Sequence, residues 1–252
     1  MQSERIKFKG AFGDQLSGRF DRPDEKPTAF ALFAHCFTCS KNLKAVGNIT
    51  KALAGKGIET LRFDFTGLGE SEGDFADTNF SSNVEDLVAA ADYMKKKQKA
   101  PSIIIGHSLG GAAVLQAALQ IKSVKAVVTI GAPSDPGHVK HHFESKKEEI
   151  EEKGVAMVQL AGRPFKVKKQ FLDDLNENKM NEVIENLDRA LLVMHAPLDE
   201  TVGIENAAKI YKKAKHPKSF ISLHEADHLL MDETFSKYCG SIIAEWSSLY
   251  LK

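Results

Sequence analysis

An excess charge of either sign is missing from this 252-residue chain, in which Lys+Arg and Asp+Glu both number 34. Without a basic field to hold a polyanion, the chain is not expected to take nucleic acid or an anionic membrane as its main partner; the ligand is small or neutral. Long apolar runs are missing too, and none approaches the roughly 20 residues of a membrane helix. The start Met1-Gln-Ser-Glu-Arg-Ile lacks the apolar middle segment of a secretory signal. The default expectation is therefore cytoplasmic, as a monomer or a homo-oligomer. Cysteine is scarce: Cys36, Cys39 and Cys239 are the whole complement. An odd count in a chain of this size does not make a secreted disulfide framework, so all three are read as reduced.

What is present is an alternation of buried strands and helices. Ile6 to Phe8 and Leu16 to Phe20 flank Gly10-Ala-Phe-Gly-Asp, which predicts an antiparallel N-terminal hairpin. Short apolar runs follow at 29–34, 59–64, 102–106, 126–130, 190–195 and 219–223. Near-continuous apolarity is what a sheet covered on both faces demands. Helical patterns lie between them at 44–56, 80–97, 109–121, 201–213 and 234–251; positions 84, 87, 88, 91 and 94 fall on one face of a 3.6-residue period. The fold class is α/β, a mostly parallel, doubly wound sheet. Residues 1–130 and 190–252 form the core. The connection 131–189 is far longer than an ordinary crossover and reads as a small lid insertion, with a charged helix-like run at 140–153 and apolar runs at 155–160 and 165–167.

Gly106-His107-Ser108-Leu109-Gly110 fits G-x-S-x-G in the context that motif requires, a buried strand before it and a small-residue helix after it. A sharp strand-to-helix turn crowds positions 106 and 110 and projects the Ser108 hydroxyl at a helix N-terminus, where negative charge is favoured. A serine hydroxyl needs a base, and the base needs a group to orient it. Asp199 lies just after the run 190–195 and His228 just after 219–223, which gives the order Ser, Asp, His. Glu200 is the rival acid and His224 the rival base. An oxyanion hole needs two backbone amides: Leu109 supplies one and Phe37, after the run 29–34, the other. The cluster His138, His141, His142 lacks a cysteine or carboxylate partner at ligand spacing, so no metal is expected.

Taken together these segments resemble the α/β-hydrolase superfamily. Phe33-Ala-His35-Cys36-Phe37-Thr-Cys39-Ser-Lys, Gly162-Arg-Pro-Phe165 and Phe171-Leu-Asp-Asp look like the hydrolase half of bacterial proteins that carry an OsmC-like domain. Cys36 stands where the superfamily more usually follows its histidine with glycine. The resemblance implies a small carboxylesterase with Ser108, Asp199 and His228 in the triad positions and no cofactor. Met157, Leu160, Phe165, Phe171 and Leu172 are expected to roof an apolar pocket for esters of short to medium acyl chains, Phe165 and Phe171 foremost. The alternatives are a thioesterase or amidase with the same triad, or a non-catalytic binding protein of the same fold. An open Cys36 thiol beside Phe37 would make the activity sensitive to thiol reagents.

Overall fold

The computed structural model describes residues 1–160 and 162–251. Ten strands and eight α-helices run in the order β1(Gln2–Lys9) β2(Gln15–Arg22) β3(Ala29–Ala34) α1(Lys44–Ala54) β4(Ile58–Phe63) α2(Phe80–Lys97) β5(Ile103–His107) α3(Leu109–Gln120) β6(Ala126–Ile130) α4(Lys147–Lys153) β7(Val155–Leu160) β8(Arg163–Lys168) α5(Lys169–Glu177) α6(Met180–Glu185) β9(Ala190–His195) α7(Glu205–Lys213) β10(Lys218–Ser222) α8(Glu233–Ser248), among the described residues. Eight strands form one sheet in the order β1-β2-β4-β3-β5-β6-β9-β10. From β4 to β10 every pairing is parallel, and β1 and β2 add an antiparallel edge.

The central strands are apolar on both faces because both are covered. Ile103, Ile104 and Ile105 of β5 are fully buried, and each such side chain contributes about 1.5–3 kcal/mol through removal from water. One face packs against α2, α3 and α7, the other against α1 and α8. β3 sits between β4 and β5. The winding direction reverses there, so the loops leaving β3 and β5 part above the sheet and open a crevice at the carboxyl ends of the strands.

The segment 131–189 begins as a 3-10 helix at Pro136–Lys146, turns into α4, and then forms the two-stranded β7–β8 ribbon. Phe143, Ile150, Val158, Phe171, Met180 and Ile184 join the main core. Its last helix, α6, lies against α3 and α7 and so completes the helical layer. Helix α7 starts at Glu205, later than the sequence pattern suggested, because the amides of Thr201 and Val202 are turned to the Asp199 carboxylate.

Beneath the β3 loop lies a buried ion pair. Lys41 is 1% exposed, and its Nζ lies 2.6 Å from Asp64 Oδ2 and 2.6 Å from Glu70 Oε2. Asp64 also accepts the amides of Lys41 and Glu70 at 2.6 and 2.9 Å. Arg62, paired with Asp21 at 2.6 Å, donates to the Lys41 carbonyl. Removing one partner strands a charge out of water. We predict that Lys41→Met destabilises the fold by about 3–5 kcal/mol. Lys169→Met, which breaks an exposed pair with Asp173, should cost less than about 1 kcal/mol. Urea unfolding of the two variants checks this, and equal stabilities would contradict it.

Candidate active site

Ser108 is held between β5 and α3 with φ 55° and ψ −127°, a backbone region that L-residues rarely occupy. Two glycines make the turn possible. A Cβ on Gly106 would lie 2.2 Å from the Gly110 carbonyl oxygen, and one on Gly110 would lie 2.4 Å from the His35 carbonyl oxygen. The hydroxyl thus stands at the N-terminus of α3, beside the loop that leaves β3.

The structure brings Ser108, His228 and Asp199 into one chain of contacts. Ser108 Oγ lies 3.0 Å from His228 Nε2, and His228 Nδ1 lies 2.7 Å from Asp199 Oδ2. A carboxylate only accepts, so Nδ1 carries a proton, and in the neutral form of the ring Nε2 is the acceptor for the serine hydroxyl. The two oxygens of Asp199 divide the work, because Oδ1 accepts the amides of Thr201 and Val202, each at 2.9 Å. Burial alone would raise the Asp199 pKa. The His228 contact and the two amides outweigh it and leave the group below its ordinary value, ionised. The rivals Glu200 and His224 are both exposed.

Three further residues hold this chain in place, and the sequence pattern did not single them out for it. His107 Nε2 lies 2.6 Å from the His228 carbonyl oxygen and must donate to it. Burial, then the charge of His228, pushes the His107 pKa down to about 3, so the ring stays neutral. His195 Nε2 donates to the Val202 carbonyl at 2.7 Å and pins the Asp199 loop to the end of β9. Gly131, with φ +55°, passes so close that a Cβ there would lie 3.3 Å from Asp199 Oδ2 and 3.4 Å from His228 Nδ1. Only the position of that glycine, directly after a buried strand, could have marked it.

The amides of Phe37 and Leu109 make no hydrogen bond among the described residues. Both residues border the cavity over Ser108. The loop that carries Phe37 corrects the reading of the cysteines: Cys36 and Cys39 are joined as a disulfide. The physical reason is a tight turn. Cys39 N–H donates to the Cys36 carbonyl at 3.1 Å, which sets the two Cα atoms 5.3 Å apart, within the bridging range. Spacing alone did not reveal that turn. Cys36 is therefore not an open thiol. Cys239 is free and buried, and burial pushes its thiol up to about 12.

The cavity over Ser108 has a volume of about 260 Å³ and is walled by Phe37, Pro133, Val139, Leu160, Val202 and Leu229, with His138 and His142 at its polar side. Leu160 is where the sequence placed it. Phe165 and Phe171 are not, and the pocket assignment is corrected. Phe171 is 2% exposed and packs on Phe37 and Phe143 at centroid distances of 5.8 and 5.6 Å; Phe165 packs on Phe75 at 4.8 Å. Edge-on and tilted packing among five aromatic rings, which removes them from water, draws both behind Phe37 rather than over the serine. Met157 is exposed, and Leu172 borders a separate cavity of about 490 Å³ within the insertion. That larger cavity shares no lining residue with the serine site and is rimmed by lysines and carboxylates. The His141 ring meets that of His138 edge-on at 5.1 Å and that of His142 tilted at 3.8 Å, and His138 Nε2 donates to the Thr201 carbonyl. No group of three or more potential ligands among the described residues is placed to hold a metal ion.

Comparison with known proteins agrees with this architecture. The family described as Serine aminopeptidase, S33, matches residues 26–150. The solved esterase domain of a Rhodothermus marinus protein is 45% identical, with a TM-score of 0.82 and coverage of 100% of both chains. Est1E from Butyrivibrio proteoclasticus, solved with ferulic acid bound, is 19% identical with a TM-score of 0.80, over 98% of this chain and 99% of that one; at that identity it speaks to the fold. The mitochondrial palmitoyl-protein thioesterase ABHD10 of Rattus norvegicus is 29% identical over 127 residues, 49% of this chain and 41% of that protein. With its parallel sheet, its serine turn after β5 and a relative of 45% identity along its whole length, the chain belongs to the α/β-hydrolase superfamily.

Proposed function

We propose that the chain is a serine carboxylesterase acting on short to medium acyl esters through an acyl-enzyme on Ser108. The observation that carries this reading is the contact chain from Ser108 Oγ through His228 to Asp199, at 3.0 and 2.7 Å, opening into an apolar cavity. Ser108 Oγ attacks the ester carbonyl as its proton passes to His228 Nε2, and the carbonyl oxygen takes up the negative charge. The amides of Phe37 and Leu109 receive that oxygen. Collapse of the tetrahedral intermediate breaks the bond to the alcohol, which leaves with the proton from His228. Water then attacks the acyl-enzyme, gives its proton to the same nitrogen, and releases the acid and the serine. Every proton and charge is handled by side chains and backbone, so the reaction as written needs no cofactor.

Cavity size supports the chain-length reading. At about 260 Å³ it falls just below the roughly 300–1,000 Å³ of sites that enclose drug-sized ligands. The resemblance to a palmitoyl-protein thioesterase over half of the chain supports a second reading, thioester hydrolysis by the same groups. With Lys+Arg and Asp+Glu balanced at 34 each, a small neutral substrate remains the preferred one.

Ser108→Ala is expected to lower kcat on p-nitrophenyl acetate and butyrate at least about a thousandfold while the melting temperature holds, because the attacking atom is lost and little packing with it. Most of the activity surviving would refute the assignment. A matched series of p-nitrophenyl esters and acyl-CoA thioesters separates the two readings by kcat/KM.

The disulfide generates a further prediction. N-ethylmaleimide alone should leave esterase activity intact, since Cys36 and Cys39 are bonded and Cys239 is buried. Reduction followed by the same reagent should abolish it, because Cys39, the more exposed of the pair, becomes open to alkylation and an adduct in that turn displaces the Phe37 amide. Inhibition without reductant would show that the bridge is not formed.

A further inference from the structure

The turn that presents Phe37 contains a residue whose backbone is unfavourable in isolation. Thr38 has φ +61°, in the left-handed region, where a β-branched side chain is a rare outlier. It is the third residue of the Cys36-Phe37-Thr38-Cys39 turn, a place usually given to glycine when φ is positive. Such a conformation costs on the order of 1–3 kcal/mol and persists only where the surroundings impose it. The disulfide and the Cys39 amide bond fix the two ends of the turn, and an i→i+3 bond of this kind closes turns with either sign of φ at the third residue. Something else must hold the interior.

That contact comes from the insertion, 125 residues away in sequence. Arg163, the first residue of β8, reaches across and donates from Nη2 to the Thr38 carbonyl. The same guanidinium lies 5.3 Å over the Phe165 ring. Phe165 packs on Phe75 at 4.8 Å, and Phe75 on Phe37 at 5.9 Å. The contacts thus close a circuit that begins at the Phe37 ring and ends at the next residue's carbonyl. Thr38 is itself 4% exposed, so its carbonyl has little access to water as a substitute partner.

We infer that Arg163 is a positioning residue for the oxyanion site: its bond to the Thr38 carbonyl, braced by Phe165, keeps the turn left-handed and the Phe37 amide aimed at the substrate carbonyl. The inference rests on the serine-hydrolase reading above. It makes the β7–β8 ribbon a clamp on the catalytic loop and gives the displaced aromatics, Phe165 among them, a role away from the acyl chain. Arg163 touches no reacting atom in this scheme. Its effect belongs in the transition state, where charge on the carbonyl oxygen is greatest.

The test is kinetic. Arg163→Met should lower kcat on p-nitrophenyl butyrate about tenfold with KM changed less than about twofold, and should weaken inhibition by phenylboronic acid, whose serine adduct places a tetrahedral oxygen in the hole, by a similar factor. Arg163→Lys, which keeps one donor, should recover part of both losses. In a Thr38→Gly background the left-handed turn is free of strain, so Arg163→Met should cost distinctly less there. Unchanged kcat in Arg163→Met, a loss of kcat with boronate affinity intact, or the same loss in both backgrounds would each overturn the inference. If Arg163→Met does not fold, Arg163→Lys in the two Thr38 backgrounds decides by the same three comparisons. Wild-type protein that hydrolyses no ester would instead remove the reading on which the inference rests.

Discussion

Gly110 meets the end of β3 with no side chain between them, and the geometry of the site depends on that approach. A methyl group there would stand 2.4 Å from the His35 carbonyl oxygen and 2.7 Å from that of Ala34. Without it, the N-terminus of α3 seats directly against the β3 loop. Two amides that come from segments 72 residues apart, Phe37 and Leu109, then border one cavity with the Ser108 hydroxyl. The parallel sheet supplies the frame, since β3 and β5 are neighbours and their carboxyl ends open on the same side. Strain in Ser108 and Thr38, both at positive φ, is tolerated because the packing around them leaves little room for relaxation.

A second constraint acts from the opposite wall. Asp199 is buried to 6% exposure, and a carboxylate so placed is stable only when its oxygens are occupied. One oxygen is tied by the amides of Thr201 and Val202, which fixes the loop; the other is thereby aimed at His228. His107 and His195, each donating to a backbone carbonyl, anchor the two loops that carry this pair. Beneath the β3 loop, the buried Lys41–Asp64 pair performs the same service for the segment that follows the disulfide. The candidate site is thus a meeting of three loops, each nailed to the sheet by buried polar groups.

Much of this was legible in the sequence, for definite reasons. The inner strands were readable because burial on both faces leaves continuous apolar runs, as at Ile103 to Ile105. Ser108, Asp199 and His228 were readable as neighbours because each follows a strand whose carboxyl end faces the same crevice. The illegible parts are side-chain geometry. Cys36 and Cys39 close a bridge only because the chain turns between them, and the spacing permits either state. Phe165 and Phe171 are aromatic residues in a charged insertion, a pattern equally suited to roofing a pocket or to packing behind it; the cluster of rings around Phe37 decided. Arg163 lies in the Gly162-Arg-Pro-Phe165 segment that carried the resemblance, but its role was not legible, since a guanidinium bonded to a distant backbone carbonyl has no periodicity or spacing.

Under the proposed function, Ser108 is an activated nucleophile whose base is His228. Intact-mass spectrometry after exposure to a fluorophosphonate, followed by peptide mapping, tests it most directly. A single adduct on Ser108, absent in Ser108→Ala and formed far more slowly in His228→Ala, is the predicted result. Folded protein that takes up no label, or takes it up on another residue, would rule out Ser108 as the nucleophile.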